Sequence, residues 1–286
     1  MSDTVLVSLP RLLVEPIVRA ALLEDLGRAG DITTDAIVPA DARLSGVIAA
    51  RQDGVISGVD AAVIAFGLID PAVSVIVERS DGARVSPGDV VIRLDGPARA
   101  ILTAERVALN ILCRMSGVAT ATAGLVEAAR PHGKARIVCT RKTTPGLRSL
   151  EKHAVRAGGG SNHRYGLDDA VLIKDNHVAV AGGIVPAIER ARAYSGHLVK
   201  IEIEVDTLDQ LAEALSVRAD AVLLDNMSPD QLREAVRMID GRAIAEASGR
   251  INRDTVGAIA ASGVDLISSG WITHSAPIID LGLDAI

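Results

Sequence analysis

Through the second half of the chain short apolar runs recur, and each ends in polar residues. ARIVCT runs into Arg141-Lys142, AVLI into Lys174-Asp175, KIEIEV into Asp206, AVLL into Asp225-Asn226, RAIAEA into Ser248-Gly249 and DLIS into Ser269-Gly270. Between most of them the apolar residues fall at helical spacing, as at 207–215, 229–239 and 253–262. Strand and helix alternating on this scale predict parallel strands, and the repetition favours a β/α barrel over an open sheet. Pattern alone gives six strands. In a barrel of this kind the active site is built at the carboxyl ends of the strands, where these polar residues fall.

The first half has a different rhythm. Residues 10–26 read as a helix with Pro16 near its start, and GRAGDITT breaks it. A strand-like run at 43–50, a turn at RQDGVISG, a buried helix at 59–69 and an alternating strand at 73–78 follow. DGARVSPGDVVIRLDGP reads as a hairpin through Pro87-Gly88-Asp89, similar to the hairpin of lipoyl-like hammerhead modules; without a lysine at its tip it is scaffold. Residues 98–129 are helical by pattern, interrupted at Ser116-Gly117, and are expected to bridge two domains.

One strand carries chemistry in its alternation. In Ile201-Glu202-Ile203-Glu204-Val205-Asp206 the apolar residues face one side and the acids the other. With the apolar side against helices, the acids point into the barrel, where unpaired carboxylates are costly. Lys142, Lys174, Arg141 and Arg164 are candidate partners, as is a divalent metal with Asp225 assisting. Without His/Cys ligand spacing, a hard ion such as Mg²⁺ fits better than zinc. The structural alternative is a salt-bridge network that stabilises the barrel, an explanation that suits Glu202 best.

Charge and composition narrow this picture. The net formal charge is −6, yet residues 140–177 hold seven Lys or Arg and three His against four acids. Interleaved Thr143, Thr144, Pro145, Gly146 and Gly158-Gly159-Gly160 let a backbone bend closely around an anion, whereas an ordinary charge run is a solvated helix face. The acidic balance argues against nucleic-acid binding. Apolar residues make up 49% but aromatics number only four, so the core is aliphatic. Cys113 and Cys139 lie in apolar segments without metal-ligand spacing, as suits a reducing cytoplasm. No purely apolar run of membrane-spanning length exists, and the N-terminus, with Asp3 and Glu15, lacks a basic region before an apolar one. Neither membrane attachment nor processing is expected. The glycine turns at Ser248-Gly249-Arg250 and Ser268-Ser269-Gly270 fall in late loops that commonly bind phosphate in such barrels.

TRKTTPGLR, GGGSNHRYGL, IKDNH, EIEVD, LLDN and EASG, in this order, together with EDLG and GDITT near the start, LTAERVALN in the middle and THSAP with DLGLD at the end, closely resemble the quinolinate phosphoribosyltransferases. The resemblance covers essentially the whole chain. It implies an α/β protein, an N-terminal α/β sandwich of hammerhead type (1–116, with 275–286 packing back on it) joined to an irregular seven-stranded β/α barrel (117–274). It also implies a homodimer with shared active sites and a reaction of quinolinate with phosphoribosyl pyrophosphate that yields nicotinate mononucleotide, pyrophosphate and CO₂. By motif, Arg141, His163, Arg164 and Lys174 match positions that contact quinolinate, with Thr140 beside them, and Arg106 matches an arginine supplied across the dimer interface. Lys142 and Lys174 match groups at the phosphoribosyl donor, Glu204 and Asp225 the acids that hold Mg²⁺, and Ser248, Gly249 and Gly270 the 5′-phosphate loops. His177 and His274 are motif members without a role deducible from sequence, and Arg250 and Ser269 stand where small or apolar residues are expected. Two other readings of the same residues are a nicotinate phosphoribosyltransferase that releases no CO₂, and a molybdenum-transport-associated accessory protein of the same fold.

Overall fold

The computed structural model describes residues 6–286; Asp3 lies outside them. Two compact units emerge, one made of everything described up to Ala123 with Thr143–Gly159 and Ser275–Ile286, the other of Gly124–Lys142 and Gly160–His274. In chain order the elements are α1 (Arg11–Leu26), α2 (Ile32–Ile37), β1 (Arg43–Ala50), β2 (Gly54–Val55), α3 (Val59–Ile69), β3 (Ser74–Val77), β4 (Arg84–Val85), β5 (Val90–Pro97) and α4 (Ala98–Ala129). Then come β6 (Arg136–Val138), α5 (Arg148–Ala157), β7 (Val171–Ile173), α6 (Asp175–Ala181), α7 (Ile184–Tyr194), β8 (Ile201–Val205) and α8 (Leu208–Ser216). The chain ends with β9 (Ala221–Asp225), α9 (Pro229–Ile239), β10 (Ile244–Ser248), α10 (Val256–Ala260), β11 (Leu266–Ser268), α11 (Trp271–His274) and β12 (Leu281–Ala285).

The first unit is built on an antiparallel sheet of order β12-β1-β5-β3, with Gly46 of β1 opposite Ala285 of β12. Its core is aliphatic around Phe66, Ile48, Ile92 and Ile101. Asp81 closes the N-terminus of α3 by accepting from the backbone N–H groups of Gly58 and Val59, each at 3.0 Å, and faces His153 Nε2 at 2.8 Å. The hairpin expected through Pro87-Gly88-Asp89 does not form. The turn exists, but β4 pairs with β2 while β5 pairs with β1 and β3. The turn's own backbone docks on the end of β1, Gly88 N–H donating to Ala50 O and Ala50 N–H to Asp89 O, so the flanking strands diverge.

Nor is the helix interrupted at Ser116-Gly117: α4 is continuous for 32 residues. Ser116 Oγ accepts from Ser57 N–H at 2.9 Å and donates to Ser57 O, while a Cβ on Gly117 would lie 2.2 Å from Pro277 O. These small residues serve close packing rather than a break. Although α4 is long and apolar enough to cross a membrane, 67% of its most apolar window is buried in the fold. Residues 143–159, which the sequence groups with the barrel, fall in the first unit. There Glu151 of α5 meets Arg114 at 3.0 Å and accepts from Thr144 N–H and Oγ1–H. Arg148, Lys152, His153 and Arg156 of the positive cluster therefore belong to the first unit.

The second unit carries the six expected strands, all parallel, in the order β6-β11-β10-β9-β8-β7. A seventh segment is one bridge long: Ser161 lies beside Val138, its N–H donating to Ile137 O and its carbonyl accepting from Cys139 N–H. Among the described residues no hydrogen-bonded pair joins β7 to β6, so the ladder is not closed. The helices start where their caps dictate. Thr207 with Gln210 and Ser228 with Gln231 form capping boxes for α8 and α9. Asn252 Oδ1 accepts from Asp254 and Thr255 N–H and holds a turn, which delays α10 to Val256.

Candidate active site

Alternation fixes which side chains meet. On β8, β9 and β10 every second residue faces one cavity of about 360 Å³, so that Glu204, Leu223 and Asp225, and Glu246 and Ser248 share its wall. Ser268 joins them from β11, Leu172 and Lys174 from β7 and the residue after it, and Thr140, Arg141 and Lys142 from the segment after β6. His163 and Arg164 enter from the chain beyond Ser161. Nine expected site residues thus converge in the second unit: Thr140, Arg141, Lys142, His163, Arg164, Lys174, Glu204, Asp225 and Ser248.

The electrostatics are those of an anion site with an acidic rim. Arg141 Nε and Arg164 Nε are buried without hydrogen-bond partners, and such orphaned donors await an acceptor. Arg164 Nη1 donates to Ala170 O at 3.0 Å; burial, then the charge of Arg141, pulls its pKa below the ordinary guanidinium value. Burial and then Asp225 raise the pKa of Glu204, against the opposing pull of Lys174. Two oxygen-donor side chains crowded in this way match what a hard divalent cation needs. Lys174 is fixed by its own backbone, whose N–H donates to His177 Nδ1 at 2.9 Å, which gives His177 a local role.

Ser248 reaches the cavity, whereas Gly249 lines a second one of about 600 Å³ with Asn226, Arg250 and Thr255. Gly249 has φ +100°, and a Cβ there would lie 2.3 Å from Asn226 Oδ1. Gly270 lines neither cavity but abuts Lys142: a Cβ would meet Lys142 Cδ at 2.9 Å and His274 Cδ2 at 3.3 Å. Arg106 belongs to the first unit, where its side chain is 64% exposed and lies 3.9 Å from Glu105.

Behind the cavity is a cluster that sequence reasoning only half saw. His163 Nε2 lies 2.8 Å from Glu202 and 3.8 Å from Glu246 Oε1, and His163 Nδ1 accepts the N–H of Arg164 at 2.7 Å. Nδ1 is therefore unprotonated and Nε2–H donates to Glu202. The partner of Glu202 is this histidine rather than Lys or Arg. Glu246 escaped the sequence reading because it sits in RAIAEA, which scans as apolar. The rule applied to IEIEVD would have found it, since Glu246 stands two residues before the cavity-lining Ser248.

Comparison with known proteins agrees along most of the chain. Residues 31–116 match the quinolinate phosphoribosyl transferase N-terminal domain and residues 118–284 its C-terminal domain. The chain is 46% identical over 274 residues to the nicotinate-nucleotide pyrophosphorylase [carboxylating] of Mycobacterium leprae, spanning 93% of this chain and 95% of the relative. It is 42% identical over 262 residues to the probable enzyme of the same name from Bacillus subtilis, across 92% and 90% of the two chains. The solved nicotinate-nucleotide pyrophosphorylase of Francisella tularensis superposes with a TM-score of 0.93 at 39% identity, covering 98% of each chain. With its strand-end cations and acids gathered on one cavity, and both family domains matched, this chain belongs to the quinolinate phosphoribosyl transferase family.

Proposed function

We propose that the protein transfers the phosphoribosyl group of 5-phosphoribosyl 1-pyrophosphate to quinolinate with decarboxylation, giving nicotinate mononucleotide, pyrophosphate and CO₂, a step of NAD biosynthesis. The observation that carries this reading is the pair of orphaned, buried guanidinium nitrogens on Arg141 and Arg164 in a cavity shared with Lys142 and Lys174. Quinolinate is a pyridine dicarboxylate, and two carboxylates need several fixed cations, best met by arginine forks. A nicotinate site needs to hold only one. Arg141, Arg164 and Lys174 hold the dicarboxylate and aim the ring nitrogen, with His163 bracing Arg164 from behind. Lys142 and Lys174 neutralise the departing pyrophosphate as the ribose carbon gains oxocarbenium character. Glu204 and Asp225 would hold Mg²⁺, which when bound supplies charge neutralisation on the pyrophosphate. N-ribosylation makes the ring cationic, so it accepts the electron pair left when the adjacent carboxylate departs.

Ser248, Gly249 and Gly270 form the 5′-phosphate loops in this reading, and Arg106 completes the site of a second subunit in a homodimer. The free cysteines fit a cytoplasmic enzyme. The test is incubation with phosphoribosyl pyrophosphate, Mg²⁺ and either pyridine acid while CO₂ and nucleotide are followed. Turnover of nicotinate but not quinolinate refutes the assignment, as does molybdate binding without turnover; solution mass tests the dimer.

A further inference from the structure

The decarboxylating reaction proposed above leaves one proton unaccounted for. When CO₂ departs, the bond from ring C2 to its carboxylate breaks and the electron pair stays on C2 beside the cationic nitrogen. The product carries hydrogen at that carbon, so C2 must take up a proton that neither substrate supplies. We propose that Glu246 is the acid that delivers it. The Oε–H bond of Glu246 breaks, a C2–H bond forms, the carboxylate keeps the Oε–H electron pair, and water reprotonates it after product leaves.

Three observations single out this side chain. Glu246 lines the same cavity as the arginines that hold the dicarboxylate, yet it is only 1% exposed. Its Oε1 is buried without a hydrogen-bond partner, so one of its oxygens is not committed to the protein. On balance the surroundings disfavour its anion: burial and Glu202, which faces it from β8, outweigh Ser268 from β11 and His163 from the segment before β7, and the register partner on β9 is the apolar Leu223. Burial first, and then the Glu202 charge, push its pKa up to about 7, with His163 and the Ser268 hydroxyl pulling the other way. The group thus carries a proton near neutrality and can yield it to a carbanion.

The neighbours are less suited. His163 has its single N–H committed to Glu202 and its other nitrogen to the Arg164 backbone. This tautomer also argues against reading His163, Glu202 and Glu246 as a cation site, although their ligand atoms lie within 4.8 Å of one another. A metal on Nε2 would require a proton on Nδ1, which is occupied as an acceptor.

The experiment uses the full chain with quinolinate, phosphoribosyl pyrophosphate and Mg²⁺, following pyrophosphate, CO₂ and the bound species by rapid quench. Wild-type CO₂ release is expected to fall as pH rises through about 7. Glu246→Gln should slow it about 100-fold, within the range of general acid catalysis, and remove that pH limb. Quinolinate affinity should stay within about threefold, and the N-ribosylated dicarboxylate should accumulate. In Glu246→Ala, added formic acid should restore part of the CO₂ release by entering the space vacated. The proposal is overturned if Glu246→Gln releases CO₂ within about threefold of wild type or keeps the pH limb. A parallel loss of quinolinate binding, pyrophosphate and CO₂ also overturns it, because that pattern marks a structural role. A wild-type protein that forms nucleotide without CO₂ removes the functional reading itself, a result distinct from the other two.

Discussion

Replacing Arg164 by methionine should leave the free protein almost as stable as before while removing most of its response to quinolinate. Methionine keeps the apolar stem and deletes the guanidinium, so no large void opens. Its loss forfeits the bond to Ala170 O, worth about 1 kcal/mol, but also eliminates a buried Nε without a partner, a burden of about 1–3 kcal/mol, and the repulsion with Arg141. These effects oppose each other, and the net change should stay within about 2 kcal/mol. Ligand binding behaves differently, because each charge-assisted hydrogen bond to a carboxylate contributes about 1.5–3 kcal/mol. Losing a two-bond fork therefore weakens quinolinate by about 10²–10⁴-fold. At one hundred times its dissociation constant the ligand stabilises the wild type by about 2.7 kcal/mol, or about 5–10 °C in Tm. The assay is thermal unfolding with and without quinolinate. A variant that is destabilised by more than about 3 kcal/mol yet keeps its ligand shift would refute the reasoning, because Arg164 would then be a structural residue.

Other consequences are open to measurement. Glu246 has a folded pKa of about 7 against 4.5 for an ordinary glutamate side chain, so its stabilising share is complete below pH 4.5 and is lost as pH rises through 7. Glu246→Gln should therefore gain on the wild type between pH 5 and pH 8 in chemical denaturation, by up to about 3 kcal/mol, and a gap independent of pH contradicts this. Glu204→Gln and Asp225→Asn should each raise the Mg²⁺ concentration for half-maximal turnover by about tenfold or more, and an unchanged Mg²⁺ titration removes them as its ligands. Gly117→Ala should destabilise by about 3 kcal/mol, since its Cβ would meet the Pro277 carbonyl and Ile278 Cα rather than a yielding side chain, and a loss below about 1 kcal/mol in urea unfolding refutes the close approach. Thr207→Ala should cost about 1 kcal/mol by removing the cap of α8, which urea unfolding also reads.

The strands of the second unit were legible because each is a short apolar run with a polar end, and parallel order follows once helices intervene. The site was legible for the same reason: its residues occupy strand ends or alternate positions just before them. What sequence does not carry is partnership between distant segments. Nothing local in DGARVSPGDVV says that β4 pairs with β2, because the docking of Gly88 on Ala50 decides it. Ser116-Gly117 reads as a break until Ser57 and Pro277 supply the contacts that need small side chains. The helix α2 is only six residues long and begins inside GDITT, where Asp31 capping Thr34 looks like an ordinary turn. In α5, His153 counts toward the positive cluster of residues 140–177, yet Asp81 engages it, as Arg114 and Thr144 engage Glu151.

The turn after β9 has a consequence for inheritance. Asn226 adopts φ +52°, its amide donates to Asp225 Oδ2 at 2.5 Å, and its Oδ1 occupies the space that any side chain at Gly249 would enter. A substitution at 249 must displace Asn226, and with it the carboxylate of Asp225. Positions 225, 226 and 249 therefore cannot drift independently: lineages of this chain that exchange one are expected to exchange its neighbours, and single replacements should be purged however mild they look in isolation.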